Sequence, residues 1–180
     1  VTAYLLPDAS PRAVELEIRR LDPPAAPVRL RLGDPPGDGA PAVIDAVAHI
    51  HGRGDVPFAD AAWIGRLGPE AWLEAFVLEP RDPAVAAAIE YKGLTASGIE
   101  TPWLGSGALC GTRGQNLPLV GFAVRQKAGA GGTRLDCEYS GAFRSGAVVA
   151  PRRNGAPCRS ALDGDALEGL QLRIIRRPGG

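Results

Sequence analysis

The sequence has no methionine, few aromatic residues and no excess of charge of either sign. Its 180 residues contain no Met, 3 Trp, 3 Tyr and 4 Phe, and Lys+Arg and Asp+Glu number 20 each. Because position 1 is also not Met, we expect a processed or truncated chain. The balanced charge argues against a nucleic-acid-binding protein, which normally carries a basic excess or a basic stripe.

Long apolar runs are missing as well. No run approaches the roughly 18–20 residues of a membrane-spanning helix, so we predict no membrane span. No signal peptide is visible in the sequence. At 180 residues the chain has the length of one domain, or of one domain with an arm, and it is long enough to bury a good core.

Groups suited to catalysis or metal binding are scarce. His49 and His51 would share one face of a strand, and a metal site there would need Asp45 or Asp55 as a further ligand. We predict a hydrogen-bonded or solvated histidine pair and no metal. No Gly-x-Ser-x-Gly elbow is present, and Cys110 has no obvious histidine partner in its own segment. The sequence therefore predicts a protein that is not an enzyme and needs no cofactor.

Glycine and proline are abundant, and they punctuate short apolar runs. With 24 Gly, 17 Pro and 45% hydrophobic residues, the composition favours an all-β domain over helices or disorder. An internal offset of 48 residues supports this interpretation, because a period of 20–50 residues is typical of repeat architectures. The offset superimposes these residues: Glu90-Tyr91 on Glu138-Tyr139, Ser97-Gly98 on Ser145-Gly146, Gly107-Ala108 on Gly155-Ala156, Cys110 on Cys158, and Leu119, Gly121 and Arg125 on Leu167, Gly169 and Arg173.

The repeat predicts three β units of about 45 residues each, at 43–80, 88–127 and 134–176, within a pseudo-threefold domain covering 43–180. Each unit has an opening strand, a turn-rich middle and an apolar closing strand. In the closing strands the apolar spacing changes from odd to even, which predicts a β-bulge near Ala75, Gly121 and Gly169. The first unit is aligned by matching Trp63-Ile64-Gly65 to Trp103-Leu104-Gly105.

Residues 1–42 differ from the repeats. Residues 14–19 and 28–32 alternate apolar and polar side chains, and a proline-rich turn separates them. They predict an N-terminal β-hairpin arm followed by a linker, which either extends the domain or belongs to a neighbouring module. The three cysteines are predicted to be small buried thiols. Cys110 and Cys158 occupy equivalent positions, so a disulfide between them is not favoured.

The second unit carries a recognisable pattern. It runs from Ile89-Glu90-Tyr91 through Gly98, Trp103 and Gly111-Thr112-Arg113-Gly114-Gln115 to Leu119-Val120-Gly121-Phe122. This pattern resembles the clostridial hydrophobic-W (ChW) repeat family, over about residues 43–176. The third unit departs from it, since Pro151 replaces the tryptophan and Arg159-Ser160-Ala161-Leu162-Asp163 replaces the turn. The resemblance implies three tandem units, and we expect a β-prism-like fold, with a β-trefoil as the alternative.

The same resemblance implies a secreted or cell-surface bacterial protein with a polysaccharide-binding role. Aromatic faces and planar polar groups at turns suit sugar recognition. We therefore predict a non-catalytic, lectin-like module that binds a polysaccharide or other glycan. The alternative is a structural or assembly subunit of a coat, spike or appendage that docks on itself or a neighbouring protein through the N-terminal arm. The predicted ligand-binding residues are Trp63, Trp103, Arg113, Gln115, Asn116, Arg53 and Asp55.

Overall fold

The computed structural model describes residues 39–68, 70–130 and 134–177. The predicted hairpin at residues 14–32, and with it most of the N-terminal arm, lies outside the described residues. In the part of the chain that is described, no helix has the length and apolar character needed to cross a membrane.

The regular secondary structure of the described residues is β-strand apart from one short helix, which confirms the all-β prediction. In β1 every second side chain is buried, so the strand presents one face to the core and the other outward. The elements in chain order are β1 (Ile44–Ile50), β2 (Gly54–Ala59), β3 (Ile64–Gly65), β4 (Leu73–Pro80), α1 (Pro83–Ala88), β5 (Ile89–Thr95), β6 (Leu104–Gly105), β7 (Cys110–Gly111), β8 (Leu119–Gln126), β9 (Arg134–Phe143), β10 (Arg152–Arg153), β11 (Cys158–Arg159) and β12 (Leu167–Arg177).

These strands form three antiparallel sheets of four strands each. Sheet I has the order β2-β1-β4-β7, sheet II the order β11-β8-β5-β6, and sheet III the order β10-β9-β12-β3. The two central strands of each sheet are the opening and closing strands of one predicted unit: β1 with β4, β5 with β8, and β9 with β12. Each predicted unit thus supplies the middle of one sheet.

One outer strand of each sheet comes from a different unit. β7 of the second unit pairs with β4 of the first, β11 of the third pairs with β8 of the second, and β3 of the first pairs with β12 of the third. We call β3, β7 and β11 the exchanged strands. Because each unit receives one exchanged strand and gives one away, every sheet edge that a closing strand leaves open is covered by a neighbouring unit.

The predicted bulges are confirmed at the start of the closing strands. In each central pair the register shifts by one residue, and the skipped residues are Glu74, Val120 and Glu168. They lie directly before Ala75, Gly121 and Gly169. The extra residue re-aims the side chains that follow, so that Phe76, Phe122 and Leu170 all point into the core.

Small residues sit where the exchanged strands meet these bulges. Gly111 has a φ of +108°, and a Cβ on it would lie 2.2 Å from the carbonyl oxygen of Glu74. Gly65, with a φ of +92°, would place a Cβ 2.5 Å from the carbonyl oxygen of Glu168. A side chain at either position would clash with backbone, and L-residues rarely adopt such a φ.

The core is shared by all three sheets. Tyr91, Phe76, Phe122 and Tyr139 form, in that order, a continuous row of rings, with successive centroids 5.4, 6.1 and 5.3 Å apart. The hydroxyl of Tyr139 donates to the Ala156 carbonyl at 2.7 Å, and that of Tyr91 donates to the carbonyl of Ala108. Burial raises the pKa of Tyr91 to about 12.

The three cysteines are free and buried, as predicted. Burial raises the pKa of Cys110 and of Cys137 to about 12 and that of Cys158 to about 11. Cys110 and Cys158 face the core from exchanged strands, where Cys110 pairs with Phe76 in sheet I and Cys158 pairs with Phe122 in sheet II. They pack as small apolar side chains because a thiolate would be costly at these positions.

The alignment of the first unit was wrong around Trp63. Ile64 and Gly65 form an exchanged strand, as Cys110 and Gly111 do, whereas Leu104 and Gly105 pair with their own opening strand. Trp63 and Trp103 therefore do not occupy equivalent places. Pro57 corresponds to Trp103. It precedes Phe58, the partner of Ala46 in β1, as Trp103 precedes Leu104, the partner of Tyr91 in β5. The two Trp-aliphatic-Gly triplets are similar in sequence but pair with different strands. The alignment was wrong because residue types do not show which strand a backbone segment pairs with.

A pair of glycine substitutions tests the bulge contact. Gly111→Ala adds a Cβ against the Glu74 carbonyl, whereas Gly114→Ala adds one in open space at a φ of +65°. We expect Gly114→Ala to cost about 1 kcal/mol in the free energy of unfolding. Gly111→Ala should cost at least about 2 kcal/mol more, from overpacking. Urea denaturation measures both, and equal losses would contradict the proposed contact.

Candidate functional site

Four of the predicted site residues meet where the turn at residues 111–116 lies on sheet I. Asp55, in β2, accepts a hydrogen bond from Arg113 Nε at 3.2 Å and lies 2.6 Å from His49 Nδ1. His49 Nε2 accepts the backbone N–H of Gly114 at 3.0 Å. Since Nε2 is the acceptor, the proton of this imidazole is on Nδ1, which donates to Asp55.

A buried carboxylate holds the rest of this turn. Glu74, only 2% exposed, accepts the backbone N–H groups of Gln115 and Asn116 at 3.2 Å each. Its other oxygen lies 3.0 Å from His51 Nδ1. We call His49, Asp55, Glu74, His51 and Arg113 the junction network. The polar groups of the network bind the backbone of the turn, so the network fixes the turn to sheet I. Both histidines are hydrogen-bonded, as predicted.

The other three predicted residues, Trp63, Trp103 and Arg53, lie apart from this turn, and two side chains of the turn itself point outward. The side chains of Gln115 and Asn116 are exposed, and Arg53 Nη2 donates to the Leu67 carbonyl at 3.3 Å. Trp103 packs against the guanidinium of Arg125, 3.9 Å from the ring centroid, with Lys92 Nζ at 5.2 Å. Trp63 lies elsewhere, next to Arg66. The structure does not bring the seven predicted residues into one site.

One aromatic contact was missed altogether. Trp72 stacks on His51 with ring centroids 4.0 Å apart and planes 10° from parallel. The guanidinium of Arg144, from the third unit, lies 5.1 Å from the Trp72 ring. Trp72 directly precedes the closing strand β4. Its stacking orients the His51 ring toward Glu74, so it supports the junction network.

A concave surface lies on sheet II. It has a volume of about 550 Å³ and is bounded by β5, β8 and the turn at residues 159–164 of the third unit. We call it the sheet II groove. Its floor includes Leu94, Val120 and Phe122, and its rim carries these polar side chains: Lys92, Thr95, Ser97, Glu100, Arg159, Ser160 and Asp163. None of the seven predicted residues lines it.

The sheet II groove and the junction network lie at equivalent positions of sheets II and I. Leu94 and Val120 in sheet II have the pairing positions that His49 and Glu74 have in sheet I. In sheet I the imidazole and carboxylate bind the turn of the next unit. In sheet II two aliphatic side chains replace them, so no buried charge binds the corresponding turn, and a groove remains.

The polar rim of the sheet II groove consists of ion pairs and hydroxyls. Lys92 pairs with Glu100 on one side, and Arg159 lies 3.6 Å from Asp163 on the other. Thr95 and Ser97 bond to each other through their hydroxyls at 2.8 Å. The groove therefore offers donors and acceptors around an apolar floor, with no net charge among its paired groups.

Metal ligands do not cluster in the described residues: no group of three or more His, Cys, Asp or Glu side chains is placed to hold an ion. No family model, curated protein or solved structure matches this chain. The resemblance to the ChW repeats stays a prediction.

A carboxyl titration tests the junction network. The hydrogen bond from His49, then the charge of Arg113, holds the pKa of Asp55 below its ordinary value. A lowered folded-state pKa means that Asp55 adds stability above its unfolded pKa, and that this contribution is lost as the pH falls through the folded pKa. An NMR titration should show the larger return toward the ordinary value in His49→Ala and the smaller one in Arg113→Ala. An unshifted pKa in the wild type would contradict the network.

Removing the buried carboxylate should weaken the fold. Glu74→Ala leaves two turn N–H groups and His51 without their acceptor, and we expect a loss of about 2 kcal/mol in the free energy of unfolding. The matched control is Glu168→Ala, the skipped residue of sheet III, whose side chain has no partner among the described residues. It should change stability by no more than about 0.5 kcal/mol. Equal effects in thermal and urea unfolding would refute a special role for Glu74.

Proposed function

We propose that this chain is a non-catalytic carbohydrate-binding module and that the sheet II groove holds the glycan. The observation that supports this is the groove of about 550 Å³, with an apolar floor and a polar rim. Its volume lies within the range of small-molecule sites, which combine apolar walls with a few directed polar groups. A sugar presents the matching surface, with C–H groups on one face and hydroxyls around its edge.

The rim favours an uncharged glycan. Lys92 with Glu100, and Arg159 with Asp163, present one positive and one negative group on each side of the groove. Such pairs donate to one hydroxyl and accept from its neighbour, and their charges already balance. The floor is mainly aliphatic, since Phe122 is only 3% exposed. A single bound sugar would therefore be oriented by the rim more than by ring stacking.

We also propose a β-prism-like, pseudo-threefold arrangement of the repeat units, in preference to a β-trefoil. Three four-stranded sheets, each with its central strands from one unit and an exchanged strand from another, support it. On this proposal the three places equivalent to the groove have diverged, and one of them binds the ligand. The ChW resemblance adds the proposal of a bacterial protein that is secreted or attached to the cell surface.

The alternative function, a structural or assembly subunit, rests on the N-terminal arm outside the described residues. Size-exclusion chromatography separates the two proposals. A monomer favours the binding module, because glycan recognition in the groove needs no second copy. A defined oligomer or filament favours the assembly subunit.

A glycan array with groove variants tests the proposed function. Ala96, exposed at the edge of the sheet II groove, allows an Ala96→Trp substitution that fills the groove without entering the core. We expect Ala96→Trp to abolish binding to bacterial surface polysaccharides. Arg159→Ala should weaken binding about tenfold through the loss of a charged hydrogen bond.

The control separates the groove from the site predicted by sequence. Gln115→Ala removes an exposed side chain on sheet I and should leave glycan binding unchanged. Loss of binding in Gln115→Ala but not in Ala96→Trp would move the site to the turn at residues 111–116. No binding by the wild type to any glycan on the array would overturn the proposed function.

A further inference from the structure

A second concave surface lies on the outer face of sheet III. It has a volume of about 450 Å³, and we call it the sheet III groove. Its lining includes Ser140 from β9, Gln171 and Arg173 from β12, Pro151 before β10, and Ala61 from the first unit. It shares no residue with the sheet II groove.

In sheet II the corresponding place is filled by a side chain of the protein itself. The indole of Trp103 lies there, with the Arg125 guanidinium 3.9 Å and Lys92 Nζ 5.2 Å from its ring centroid. On the far side the ring approaches Gly155, where a Cβ would lie 3.8 Å from the indole edge. The ring is therefore enclosed by an arginine, a lysine and a backbone segment of the next unit.

Strand pairing identifies the equivalent positions in sheet III. Pro151 precedes the partner of Tyr139, as Trp103 precedes the partner of Tyr91. Arg173 lies opposite Glu138, as Arg125 lies opposite Glu90. The sheet III groove is thus lined by the strand positions that surround Trp103 in sheet II. Pro151 has the position of Trp103, so no indole fills it.

Arg173 also lacks the partners that Arg125 has. Arg125 Nε bonds to Glu90 at 2.7 Å, but Glu138 pairs with Arg153 instead. Arg173 is exposed, and among the described residues its guanidinium has neither an ion pair nor a ring. A guanidinium face that borders a groove and is otherwise unoccupied attracts an aromatic ring.

We infer that the sheet III groove is a binding site for an indole ring, supplied by a tryptophan side chain of another polypeptide. The ring would lie on the face of Arg173, beside Pro151 and Ser140, as Trp103 lies on Arg125. Trp103 favours a polypeptide as the source of the ring, because its indole is supplied to sheet II by a chain segment that runs beside the sheet. This site is independent of the proposed glycan function.

Peptides copied from the chain test the inference. The probe is the acetylated and amidated pentapeptide of residues 101–105, Thr-Pro-Trp-Leu-Gly, and its control has alanine in place of tryptophan. In NMR titrations we expect the tryptophan peptide to shift the amide signals of Ser140, Gln171 and Arg173, and the alanine peptide to leave them unchanged. Shifts elsewhere only, or equal shifts with both peptides, would overturn the site.

Two variants test the mode of binding. Arg173→Ala removes an exposed side chain without a partner, so it should fold normally and bind the tryptophan peptide about tenfold more weakly. The matched control is Arg177→Ala on the same strand, which pairs with Asp136 at 3.1 Å and should bind as the wild type does. Undiminished binding by Arg173→Ala would refute the stacking on Arg173.

The second variant supplies the ring internally. Pro151→Trp attaches an indole where Trp103 has one, so it should fill the sheet III groove, abolish peptide binding and raise the melting temperature. Wild-type peptide affinity in a folded Pro151→Trp protein would overturn the inference. Should this variant fail to fold, the Arg173→Ala and Arg177→Ala pair still decides the outcome.

Discussion

The approach of an exchanged strand to a bulged backbone is the constraint on which the rest of the domain depends. Gly111 and Gly65 lie so close to the carbonyls of Glu74 and Glu168 that no side chain fits between them. This closeness lets β7 and β3 cover the edges of β4 and β12. Once those edges are covered, the three sheets share one core, and the turns that follow the exchanged strands lie over the neighbouring sheets.

The same backbone position has acquired different chemistry in each sheet. A glutamate and a histidine bind the incoming turn in sheet I, whereas a valine and a leucine in sheet II leave a groove. Likewise, Trp103 fills a place in sheet II that Pro151 leaves open in sheet III. Repetition supplies several equivalent concave places, and a few differences in sequence decide whether the protein's own groups fill each one.

Much of the fold was accessible from the sequence because its signals are local. The change of apolar spacing at Ala75, Gly121 and Gly169 marked the bulges, and the recurrence of residues at an offset of 48 marked the units. The sheet II groove was not accessible. Its two walls come from different units, and the residue types of β11 do not reveal that its backbone hydrogen bonds go to β8 of another unit. For the same reason Trp63 was matched to the wrong strand.

The pairing of β3 with β12 also governs the order in which the chain acquires its structure during synthesis. Ile64 and Gly65 meet Leu170 and Gly169, so the first unit has no partner for its exchanged strand until β12 has left the ribosome. Chains normally fold from the N-terminus as they emerge. Until then β3 is unpaired, and contacts so distant in sequence generally slow folding.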